Sequence, residues 1–170
     1  MSKTPIFKKE RNLYWSSEFT DVVNILTGVG EDGNSSQNKM FSTNAHVMVL
    51  AASIGVDAGG GVREVTSSQR KEISTQVFFS QGLDAYLLLV PMMGEPEKGQ
   101  DLIRPENDEL LLRLFEGYAG RGFEILSRIF NDSPGKSPEI LLQFELLKLV
   151  PSIPGSSEIT GEQGIQDIFS

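Results

Sequence analysis

The sequence predicts a mainly α-helical protein. Three observations carry that prediction. Apolar residues recur at helical spacing through most of the chain. Two segments, residues 41–55 and 115–126, combine apolar bodies with marked helix punctuation. Only residues 62–79 escape a helical reading, being equally compatible with a short β-hairpin and a helix. With 170 residues and 39% hydrophobic content the chain can build one core. The organisation expected is a single helical domain over 1–150, interrupted by an exposed loop at 31–39, and a flexible acidic tail over 151–170.

Taken in order, residues 7–15 mix basic and aromatic side chains, and 18–26 form a short helix with Phe19, Val22, Val23 and Leu26 at helical spacing, ended by Gly28 and Gly30. Residues 31–39 are Gly, Asn, Ser and Gln-rich with nothing to bury, hence the loop. Ser42 or Thr43 is suited to an N-cap, residues 45–54 to a helix body, and Gly55 to a left-handed C′ position. This helix is mostly apolar with a narrow polar stripe through His46 and Ser53, and Ala51 and Ala52 permit a neighbouring backbone to approach closely. Gly59, Gly60 and Gly61 form a hinge. Residues 83–93 are nearly continuously apolar and suit a buried helix ended by Pro91 and Gly94. Residues 95–101 form a polar loop.

Pro105 then opens a long helix with Glu106, Asp108 and Glu109 in the first turn, where the helix dipole favours acid. Leu111, Phe115, Tyr118, Gly122, Leu126 and Ile129 share one face, and Glu109 with Arg113 and Glu124 with Arg128 pair at i,i+4. Gly117, Gly120 and Gly122 each cost roughly 1 kcal/mol relative to Ala in a helix interior, so they imply a break or a close packing contact. Ser137 caps a last helix with Pro138 at its first position, stopped by Pro151. Its only polar residues after the first turn are Gln143, Glu145 and Lys148, so it is either central or covered by a partner. In the Pro, Gly and Ser-rich tail, Ile165, Ile168 and Phe169 read as a short docking motif.

The composition removes much chemistry. With no cysteine there is no thiolate metal site, disulfide or cysteine nucleophile, and one histidine, His46, cannot build a His-based metal site or a Ser/His relay within the chain. Pro134-Gly135-Lys136-Ser137 imitates the end of a phosphate-binding loop, but position 130, where the motif needs its first glycine, is Phe130, and a helix precedes it. Glu95, Glu97 and Asp101 read as a solvated acidic loop, because a nuclease site needs carboxylates on rigid elements with a positioned lysine. No catalytic residue, metal site or cofactor is expected. The formal charge of −8 opposes nucleic-acid binding by the whole surface. Lys8, Lys9 and Arg11, beside Tyr14 and Trp15, are the one candidate nucleic-acid contact, set against a solvated basic end whose rings pack on the core. The first five residues lack an apolar targeting core and no apolar run approaches the roughly 20 residues of a membrane span, so a cytoplasmic protein is expected.

The two punctuated segments carry a resemblance. An aromatic-x-Thr start leading to Ala-Ala-x-x-Gly, here Phe41 to Gly55, and a later Phe-Glu-x-Tyr-Ala-x-x-Gly-x-Glu-Ile-Leu, here Phe115 to Leu126, resemble the small DNA phosphorothioation (Dnd) system-associated proteins of bacteria. The likeness covers about residues 38–150; the 31–39 loop and the tail look like additions, and Gly120 stands where the family more usually has a polar residue. The resemblance implies a place beside sulfur modification of the DNA backbone, or restriction and phage defence coupled to it, run by larger ATPases and nucleases. A small acidic protein fits there as a nonenzymatic accessory or assembly subunit. The competing readings are a DNA-binding or regulatory module acting through Lys8, Lys9 and Arg11, a small subunit of another defence complex, and a metal-dependent nuclease using the acidic loop.

Overall fold

The computed structural model describes residues 10–30, 39–65 and 69–148. Lys8 and Lys9, all of the 31–39 loop except Lys39, and the tail with Ile165, Ile168 and Phe169 lie outside the described residues.

The protein is mainly α-helical, with one short antiparallel sheet. In chain order the elements are β1 (Asn12–Ser16), α1 (Thr20–Thr27), α2 (Asn44–Asp57), β2 (Arg70–Ser74), α3 (Thr75–Ser80), α4 (Asp84–Gly94), α5 (Gly99–Leu102), α6 (Asp108–Asn131) and α7 (Pro138–Lys148). Within 62–79, open between a short hairpin and a helix, the chain forms one strand, β2, followed by α3; the partner of β2 is the distant β1, with Trp15 opposite Lys71 and Tyr14 opposite Glu72. Because side chains alternate across a strand, Leu13 and Trp15 face the core while Asn12, Tyr14 and Ser16 face out. Val77, Phe78 and Phe79 belong to α3. No helix of the described residues is long and apolar enough to cross a membrane.

The frame of the molecule is the crossing of α2 on α6, and small residues set how close it is. A Cβ added to Gly122 would fall 1.7 Å from the Ala51 carbonyl oxygen, and one added to Gly55 would fall 2.0 Å from the carbonyl oxygen of Tyr118. The two backbones therefore touch, and only glycine fits at either point. One expectation changes here. Gly55 does not end α2 in a left-handed conformation; the helix continues to Asp57, and Gly55 is small because Tyr118 lies against it. Of the two readings of the α6 glycines, a break or a close packing contact, the structure shows the contact, since the helix runs without interruption from Asp108 to Asn131. Gly117 makes room for Val62, Gly120 for the carbonyl of Arg63, and the Arg63 N–H donates to the Gly117 carbonyl at 2.9 Å. The glycines thus admit a helix on one side of α6 and an extended segment on another.

Around this crossing Phe19 stacks on Phe123 at 5.7 Å between ring centroids, and Phe78 meets Phe115 edge-on at 5.8 Å. Arg63 lies over the Phe19 ring and pairs with Glu18 at 3.0 Å and Glu124 at 3.7 Å. Gly28 closes α1 with a φ of 69°, as its position after Thr27 predicts. Pro91, expected to end its helix, lies inside α4. Only three helical residues follow it, so the amide it lacks removes a single hydrogen bond from the last turn. α4 is also not buried all round: Leu87 and Val90 face the core, whereas Tyr86, Leu89 and Met93 are exposed.

Candidate functional site

The antiparallel pairing of β1 with β2 and the docking of β1 on α6 together form a polar cleft of ≈ 540 Å³. Its floor is Glu116, which lies in the stretch of α6 where Phe115 and Gly117 to Gly120 are all buried. The backbone N–H of Tyr14 donates to Glu116 Oε1 at 3.0 Å, tying β1 to α6. Burial pushes the Glu116 carboxyl up to about 7, against the opposing pull of the Tyr14 N–H and of Arg113 and Arg70. The Arg70 guanidinium carbon lies over the Tyr14 ring, 3.9 Å from its centroid.

The cleft also places Arg11, the described member of the predicted basic contact. Its main chain is fixed, donating to Thr75 Oγ1 at 3.1 Å and accepting from Thr75 N at 2.8 Å. Arg11, Arg70 and Arg113 share the lining with Glu10, Glu64, Glu109 and Glu116, so the cations meet at least as much acid as base. Tyr14 is half-buried and Trp15 is 5% exposed, so both rings belong to the domain's packing. Glu116 as a titrating group is absent from the expectations drawn from the sequence. The signal was present, because the Phe-Glu-x-Tyr-Ala motif places a carboxylate between two core aromatics, Phe115 and Tyr118.

The remaining polar candidates are engaged locally. His46 Nδ1 is hydrogen-bonded to Thr43 Oγ1 at 2.8 Å. Glu95 pairs with Lys98 and Asp101 with Arg104. Gly135 turns with a φ of 82° between α6 and α7, and Ser137 donates to Glu139. Among the described residues no group of three or more acidic or histidine side chains is placed to hold a metal ion. The half-buried Glu116 carboxylate can exchange a proton, and its Oε1 is occupied by a backbone amide.

The second feature is apolar. On α7, Leu141 and Leu142 turn inward, but Ile140, Phe144 and Leu147 are 49%, 62% and 57% exposed. These three stand at i, i+4 and i+7, a continuous stripe on one face of the helix. Beside it Leu142, Leu146 and Leu147 line a shallow groove of ≈ 300 Å³. Of the two situations expected for this helix, central or covered by a partner, the described residues leave the outer face uncovered.

Neither a curated protein nor a solved structure matches this chain. A family model described as DNA sulphur modification system-associated protein 4 matches residues 20–148, a span running from α1 to the end of α7.

Proposed function

The chain belongs to the DNA sulphur modification system-associated protein 4 family, and on that premise we propose that it is a nonenzymatic accessory subunit that docks on a larger protein of the same system. The observation that carries this reading is the stripe of Ile140, Phe144 and Leu147 on α7. Apolar residues at i, i+4 and i+7 are the anchors with which a helix enters a hydrophobic groove on a partner. Free in water, an exposed Phe and two exposed aliphatic side chains on one face carry an energetic cost that burial in an interface would relieve. The stripe lies within the residues matched by the family model, so the docking face is part of the shared domain and not of the tail.

The chemistry of the described residues supports an accessory role. Glu116 is committed to the Tyr14 amide, His46 to Thr43, Glu95 to Lys98 and Asp101 to Arg104. The partner class that fits is an ATPase or nuclease subunit, with DNA reached through it. Co-expression with proteins encoded beside it, followed by affinity purification, tests this reading. A defined complex with one of them supports it, and a chain that co-purifies with none of them overturns it.

A further inference from the structure

The groove beside the α7 stripe is apolar on its floor and open to water. Leu142 is buried, Leu146 and Leu147 are exposed, and Glu139 and Gln143 make the polar rim. Leucines left half wet in this way favour any apolar segment that can cover them.

α7 ends at Lys148, directly after Leu146 and Leu147 of the groove. The chain goes on from that point, and the 16 residues 149–164 separate Lys148 from Ile165. From Pro151 onward this connection is mostly Pro, Gly and Ser, and a connection of that length and flexible composition spans roughly 20–24 Å on average. Leu142 to Leu147 is only about 8 Å of helix at 1.5 Å per residue. Every point of the groove is therefore within reach of the same chain's Ile165, Ile168 and Phe169.

Those three residues stand at i, i+3 and i+4, the spacing with which one turn of helix presents a single apolar edge. The one charge among them is Asp167. At the near end of α7 stands Lys148, paired with Glu145 in the helix yet largely exposed, whereas Glu139 lies at the far end. Charge favours a seat with Asp167 toward Lys148. Tethering decides between this occupant and a free one, because a short flexible connection holds its cargo at an effective concentration on the millimolar scale. A contact too weak to hold a separate protein is still filled in cis.

We propose that residues 165–169 seat in cis on the α7 groove, with Ile165, Ile168 and Phe169 covering Leu142, Leu146 and Leu147. The stripe through Ile140 and Phe144 stays open beside it, so seating of the tail and docking of a partner succeed or fail separately.

The chain has no cysteine, so an engineered pair reports on this one contact. Gln143→Cys puts a thiol on the exposed rim of the groove, and Gln166→Cys puts one between the anchors while leaving all three in place. The full chain carrying both is equilibrated in glutathione buffers. Disulfide within one chain, separated from disulfide between chains by non-reducing electrophoresis, then gives the effective concentration of one thiol at the other. Adding Phe169→Asp, which would bury a carboxylate against the leucines, should lower that concentration about tenfold. Leu146→Asp should lower it alike, with the urea midpoint showing that α7 remains folded; Phe169→Asp lies outside the helix and carries the test if it does not. A value unchanged by Phe169→Asp, or by a folded Leu146→Asp, is that of a loose tether and would overturn the proposal. Disulfide formed chiefly between chains would overturn it too, giving the groove to a second copy.

Discussion

Substitution Gly122→Ala tests the α2 on α6 crossing at its tightest point. In an isolated helix the change is favourable by about 1 kcal/mol, because alanine is the better helix former. In this fold the new methyl would stand 1.7 Å from the Ala51 carbonyl oxygen, a backbone atom that cannot rotate away. Relief requires the two helices to part by more than an ångström along their shared seam, and overpacking of this kind costs about 3 kcal/mol at the upper end of its ordinary range. The net expectation is a loss of about 2 kcal/mol, the overpacking outweighing the propensity. With a urea dependence of about 2 kcal/mol per molar, the unfolding midpoint should fall by about 1 M. Gly55→Ala, whose methyl would meet the Tyr118 carbonyl oxygen at 2.0 Å, should behave alike. The double variant should lose less than the sum, because helices already parted by one methyl accommodate the other. A midpoint for Gly122→Ala at or above that of the wild type would refute backbone contact between α2 and α6.

Gly99→Ala supplies the converse, since a methyl there meets nothing closer than Met92 at 3.7 Å; the midpoint should hold or rise, by up to about 1 kcal/mol. Glu116→Gln should show a pH signature. A carboxyl held near 7 when folded and near 4.5 when unfolded favours the native state below pH 4.5, and that advantage is lost as pH rises through 7. The full shift corresponds to about 3 kcal/mol, reduced to about 2 by partial exposure, so Glu116→Gln should be more stable than wild type by about that amount at pH 8 and equal to it at pH 4. Urea midpoints at the two pH values check this, and an equal difference at both would contradict it. Arg63→Ala removes the contact with Phe19 and the pairs with Glu18 and Glu124; the expected loss is about 1 kcal/mol, smaller in high salt, read as the change in thermal midpoint.

Much of this fold was legible in the sequence because its helices are locally coded. Thr20–Thr27, Asn44–Asp57 and Asp108–Asn131 follow from apolar spacing and from Gly28, Thr43 and Pro105 near their ends. What escaped the sequence depends on distant partners. The pairing of Asn12–Ser16 with Arg70–Ser74 joins segments on either side of two helices, and nothing local in either strand names the other. Gly55 is illegible for the same reason: a glycine near a helix end reads as a C′ residue until Tyr118 is known to press on it. Pro91 reads as a stop, yet the last turn tolerates it. Of the functional features, the apolar character of residues 138–150 was legible, whereas its outward stripe was not, because composition does not say which side of a helix is covered. The groove beside that stripe became visible only once its side chains were placed.

Docking through the outer face of α7 is tested most directly by Phe144→Asp. Phe144 is 62% exposed, so a charge there should leave the urea midpoint of the isolated chain within about 0.5 kcal/mol of wild type. In an interface the same carboxylate would be buried without a partner, which should weaken binding at least a hundredfold. The measurement is retention of the co-expressed partner by affinity-tagged wild type and Phe144→Asp side by side. Partner held by the wild type and lost by a normally folded Phe144→Asp is the predicted result, and equal retention by both would contradict it.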